Sequence, residues 1–180
     1  ATDYGKSLCD QLIRDLSGYQ VLIVSGLAHG IDAYAHRAAL DHQLQTVCVL
    51  AHGLDKIYPA INRPLANKML ESGGWLSDFI SFTKADKENF PSRNRIVAGI
   101  SDATIVIESK AKGGSLITAE IANSYNRDVF TFPGRVDDPY STGCNNLIKQ
   151  HKAALIQSAA DVIYLLGWEK SASVTAPIQK

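Results

Sequence analysis

The chain has 180 residues, 46% of them apolar, enough for one domain with a buried core and against wholesale disorder. Its 18 basic and 18 acidic side chains cancel, so any site for a polyanion has to be local rather than a property of the whole surface. Cys9, Cys48 and Cys144 are odd in number and widely spaced, which excludes a disulfide framework or a CxxC zinc site and suits a reducing cytoplasm; no apolar run approaches the length of a membrane span.

Leu8, Leu12 and Leu16 recur at helical spacing before Gly18, predicting a helix from Tyr4 to Ser17. The run "QVLIVSG" reads as a buried strand. The alternation then repeats. Helices are predicted near Ile31–His42, Arg63–Glu71, Ser92–Gly99, Ser115–Tyr125, Cys144–Gln150 and Ala159–Leu166. Between them lie strands at "TVCVLA", "WLSDF", "ATIVIES", "DVFTFPG" and "AALIQ". Apolar strands separated by helices predict an α/β, doubly wound fold with a mostly parallel sheet. Such chains usually open on a strand, and this one opens on a helix, so a first strand is expected upstream of Tyr4. The domain is read as residues 1–168, with 169–180 as a tail or linker.

In open α/β sheets ligands bind beyond the carboxyl ends of the strands, where helix N-termini offer free N–H groups. The loop "SGLAHGID" holds Ser25, Gly26, His29 and Gly30 without the GxGxxG of dinucleotide binders. It is either a tight turn with Asp32 stabilising the helix start or a backbone nest for a phosphate or base. Asp32 and His36, four apart, read as a surface interaction rather than a metal site. Asn62 with Pro64 reads as a helix cap, whereas Lys56 and Tyr58 could offer a charge and a stacking face.

Arg93, Asn94 and Arg95 fall at the predicted start of a helix, where cations oppose the dipole unless an anion compensates. The turn "KAKGGSLITAE" brings Lys110, Lys112, Gly113 and Gly114, with Ser115 as expected N-cap and Thr118 one turn inside. It lacks the GKS/T of a Walker loop. Asn145, Asn146 and Lys149 follow a long loop, where the asparagines suit capping or base contacts equally. No nucleophile with a recognisable base partner stands out.

Taken together, "SGLAHGIDAYAH", "GLDKIYP", "FPSRNRIVAGISD", "GGSLITAEIA" and "FPG" followed by "STGCNNLI" resemble the DprA/Smf family of DNA-processing proteins, from Tyr4 to about Trp168. That resemblance implies an extended Rossmann-like core that binds single-stranded DNA in natural transformation and recombination, helps load the RecA recombinase and forms a homodimer. It implies no catalysis, cofactor or membrane. It also implies a first strand ahead of Tyr4 and places Ser25, Gly26, His29, Gly30, the Arg93–Arg95 motif, Lys112–Ser115, Thr118, Asn145 and Asn146 on the DNA. The family usually has Arg where this chain has His29, which implies that one phosphate interaction is removed or made dependent on pH. A competing resemblance is to the LOG-type phosphoribohydrolases, in which Glu120 would act on a nucleoside monophosphate. Here Leu116 and Ile117 replace the glycine and threonine of the GGxGTxxE turn.

Overall fold

The computed structural model describes residues 1–169. Most of the segment expected to be a tail lies outside the described residues. Seven helices and six strands alternate within them: α1 (Asp3–Leu16), β1 (Leu22–Ser25), α2 (Ile31–Asp41), β2 (Gln45–Val49), α3 (Arg63–Met69) and β3 (Gly74–Leu76) come first. They are followed by α4 (Asn89–Ile100), β4 (Ala103–Val106), α5 (Gly114–Ser124), β5 (Asp128–Thr131), α6 (Thr142–Lys149), β6 (Ala154–Leu155) and α7 (Ala159–Leu166).

All strand pairings are parallel, as unbroken apolar runs require. The strands form two sheets rather than one, ordered β1-β2-β3 and β4-β5-β6. The edges of β1 and β4 face each other across a slot of about 890 Å³, lined by Leu22–Ser25 on one side and by Ala103, Ile105 and Ile107 on the other. Helices α1 and α7 wall it with Leu12, Ile13, Val162 and Leu166. The start of α1 lies at its mouth: the Thr2 N–H and hydroxyl both donate to the Glu108 carboxylate, at 3.0 and 2.6 Å.

Three apolar clusters hold the layers. Cys9, Leu12, Leu16, Phe130, Ile156 and Val162 are among those joining α1 and α7 to the sheets, so Ile156, just after β6, and the last helix contribute core. Ala98, Ala119, Ala122 and Leu147 pack α4, α5 and α6, and Leu27, Leu50, Ala66 and Met69 seal α3 onto the first half-sheet. The three cysteines are free and buried, and burial pushes the Cys9 and Cys48 thiols up to about 12. No helix among the described residues is long and apolar enough to cross a membrane.

Local chemistry explains the departures from expectation. Asn62 precedes α3 without capping it by its side chain, because its amide donates to the Leu27 carbonyl at 2.9 Å and ties two loops together. Helix α5 starts one residue early, with Gly113 in the N-cap position and Ser115 already inside. Helix α4 starts at Asn89, tolerating Pro91 in its first turn, where a missing N–H costs nothing. Arg93 and Arg95 therefore stand beyond that turn, and neither cation opposes the helix dipole.

Candidate nucleic-acid interface

Beyond the carboxyl ends of β1 and β2 lies a pocket of about 330 Å³. Gly26, Ala28 and His29 line it from the first loop, Ala51, His52, Tyr58 and Pro59 from the second, and Phe90 and Arg93 from α4. The two loop walls are fixed by hydrogen bonds between residues close in sequence. Asp32 accepts from the Gly26 and Ala28 N–H groups at 3.1 and 3.3 Å, so it organises the loop ahead of α2. Gly30, in the N-cap position of α2, has φ +94°, a backbone that L side chains rarely adopt.

His52 is buried; its Nδ1–H donates to the Gly53 carbonyl at 2.8 Å and its Nε2 accepts from the Tyr58 N–H at 3.2 Å. That pair of bonds fixes the loop carrying Tyr58. Tyr58 and Phe90 face each other with centroids 6.3 Å apart and planes tilted by 58°.

Arg93 is only 4% exposed. Its Nη1 donates to the Gly26 carbonyl at 2.8 Å and to the Val49 carbonyl, and its Nε donates to the Asn94 side chain at 3.0 Å. Burial lowers its pKa, an effect opposed by the Asp32 carboxylate. The guanidinium presses against Gly26 so closely that an added Cβ would come within 2.5 Å of it, and it lies 5.9 Å from the Phe90 ring centroid. It therefore serves as a staple across the ends of β1 and β2 and as a cationic wall of the pocket.

Arg95 points elsewhere. Two residues along a helix turn the side chain through about 200°, and Arg95 is exposed in an ion pair with Asp78. The two arginines thus do not converge on one point. Asn94 is half-buried and engaged with Arg93, Lys56 is half-buried, and His29 is exposed at the pocket rim.

The second half-sheet is built differently. After β4, Gly143 of α6 approaches the Lys110 carbonyl so closely that a Cβ would lie 2.6 Å from it, and the Gly143 N–H donates to the Ser109 carbonyl at 2.8 Å. Asn145 is spent on structure: its amide exchanges two 3.1 Å hydrogen bonds with the Gly134 backbone. Lys110 lies 4.8 Å above the Tyr140 ring, and Lys112, Gly114, Ser115 and Asn146 are exposed. Thr118 is half-buried, and Lys149 sits in the last turn of α6, away from the end that meets the glycine turn. Ser25 and Ser115 line opposite sides of the slot between the half-sheets.

The Asp32/His36 pair is not a surface interaction. His36 is fully buried and donates from Nδ1 to the Thr46 hydroxyl at 2.6 Å, because that hydroxyl gives its own proton to the Ile23 carbonyl; Nε2 has no partner. Burial depresses the imidazole pKa to about 4. Phe90 escapes sequence reasoning, although it stands one turn before Arg93 and shares its helix face.

Fold and site define a Rossmann-like α/β protein with an aromatic and cationic pocket at its strand ends, a general place for ligands in such folds. The family model for DNA recombination-mediator protein A matches residues 1–167, and the chain belongs to that family. It is 43% identical to protein Smf of Synechocystis over 92% of its length and 42% of that relative. It is 41% identical to the DNA processing protein DprA of Bacillus subtilis, over 98% of its length and 59% of that relative. The chain thus spans about half the length of the curated relatives it matches. The X-ray structure of DprA from Streptococcus pneumoniae superposes with a TM-score of 0.84 at 40% identity, covering 94% of this chain and 58% of that one. A DprA structure from Helicobacter pylori, described for its single-stranded DNA binding mode, gives 0.84 at 30% identity over 94% and 77% of the two chains. A molybdenum cofactor carrier protein from Chlamydomonas reinhardtii shares the fold, with a TM-score of 0.57 at 12% identity over 93% and 89%.

Proposed function

We propose that this chain binds single-stranded DNA without cleaving it, seating a base against the tilted Tyr58 and Phe90 rings while Arg93 and the rim residue His29 face the adjoining phosphate. The observation that carries the reading is the pocket itself, which sets two aromatic faces beside a buried guanidinium where the fold offers ligands a place. An unpaired base presents the flat face such rings stack on, whereas a duplex keeps its bases stacked on one another. Lys110 and Lys112, with the exposed Asn146, extend the path along the second half-sheet and supply phosphate contacts.

By the same family likeness we place the protein in the cytoplasm, acting in transformation and recombination by protecting the strand and helping to load RecA, as a homodimer. Tyr164, Leu165 and Leu155 are exposed near the carboxyl end of the described chain and offer an apolar face for a partner copy. The hydrolase alternative finds little support in the geometry. Glu120, which it needs as a catalytic group, is exposed in an ion pair with Lys152 at 3.1 Å and takes no part in the pocket.

Titrating the chain into a labelled oligothymidine and into a duplex of equal length, at two salt concentrations, tests this. Preference for the single strand, weakening as salt rises, is the expected result. Equal binding to both, or base release from nucleoside monophosphates, would overturn it.

A further inference from the structure

The turn from Ile80 to Thr83 carries a side chain that folding alone does not explain. Thr83 closes the turn, donating to the Ile80 carbonyl from its N–H at 3.2 Å and from its hydroxyl at 2.7 Å. Phe82, the third residue, has φ +69°. Glycine usually fills such a place, since a Cβ there is sterically strained. The ring recovers none of that cost by burial: Phe82 is 81% exposed, and neighbouring Ile80 83%.

A frame built from a second loop holds the turn in place. The Phe82 N–H donates to Asp55 Oδ1 at 2.5 Å, which also lowers the Asp55 pKa, and the Gly53 N–H donates to the Thr83 carbonyl at 3.2 Å. The loops meet through Gly53, whose missing Cβ would lie 2.5 Å from Asp55 Oδ1 and 2.6 Å from the Ile80 carbonyl. One of these loops runs on to Tyr58 and the other leads to Phe90, the two rings of the pocket. Asp55 stands three residues before Tyr58, a span of at most about 11 Å. Exposed Lys84 and Lys87 follow the turn on the same loop.

We propose that Phe82 is a second stacking platform, taking a neighbouring nucleobase of the same strand whose other base enters the pocket. This rests on the single-stranded DNA reading and adds to it a direction: the strand leaves the pocket across the loop of residues 77–88. A base suits the position better than an apolar protein face because the two loops that frame the exposed ring run on to Tyr58 and Phe90, the aromatic rings of the pocket.

Phe82→Gly is the test, because glycine accepts the turn and cannot unfold it. Binding to an oligothymidine of about twelve nucleotides should weaken about tenfold, the loss expected of one stacked base, with its salt dependence unchanged and thermal stability equal or higher. Phe82→Trp should restore affinity, and its emission should be quenched as the oligonucleotide is added. Wild-type affinity in Phe82→Gly, while Phe90→Ala loses binding, would overturn this inference alone; a flattened salt dependence would overturn it by making the contact one to phosphate. No binding by the parent chain would overturn both readings.

Discussion

The two half-sheets begin from the same βαβ plan and end with opposite sites. After β1 and β2, two loops and Phe90 enclose a hollow whose polar groups are spent on backbone: Arg93 on Gly26 and Val49, Asp32 on Gly26 and Ala28, His52 on Gly53 and Tyr58. After β4, the corresponding space is filled by α6, whose Gly143 and Asn145 press onto the Ser109 and Gly134 backbones, and the lysines remain outside. A concave aromatic site and an open cationic edge are what base stacking and phosphate contact respectively require. On the proposed reading, the first half grips the strand and the second guides it.

The contrast is broken most forcefully at Arg93. Arg93→Ala removes a buried cation from two carbonyls and leaves them unpaired, and should cost about 3 kcal/mol of stability, read by urea denaturation. Lys112→Ala, at the exposed edge of the other half, should leave the denaturation midpoint unchanged. Next in size, Phe90→Ala should weaken oligothymidine binding by about 1–3 kcal/mol without changing its salt slope, as anisotropy would show.

His36 sharpens the same contrast through pH. Its folded pKa of about 4 lies below the ordinary value of 6.5, so the unfolded chain binds the proton first as pH falls. The stability from burying neutral imidazole is full above pH 6.5 and is lost between 6.5 and 4, at up to about 1.4 kcal/mol per pH unit. Urea midpoints at pH 7.5 and 5 should differ in the parent and differ less in His36→Leu. The smallest effect belongs to the guiding edge: Lys112→Ala should reduce the slope of log affinity against log salt by about one. Arg95→Ala should do less, since its guanidinium is already paired with Asp78.

The alternation of helices and strands is legible in the sequence because it rests on short-range patterns, from the leucines of α1 to the apolar run of β2. The pocket is not, because its walls come together only in space. Sequence marks Arg93 as charged and therefore exposed, yet its carbonyl partners lie 67 and 44 positions away. Asn62 looks like a cap by its place before Pro64, and the carbonyl it serves is 35 positions away. Pro91 draws the expected start of α4 past Phe90, hiding the ring that shares a face with Arg93. The glycine turn is legible as a turn, but nothing local in it signals that α6 fills the space behind it.

The central claim is that a base seats against the Tyr58 and Phe90 rings, and photo-crosslinking with an oligonucleotide carrying 5-iodouracil, followed by peptide mapping, tests it most directly. Adducts at Tyr58 or Phe90, abolished when unlabelled oligothymidine competes, are the predicted result. Adducts confined to the Lys110–Ser115 turn or to α7, with the pocket untouched, would contradict it.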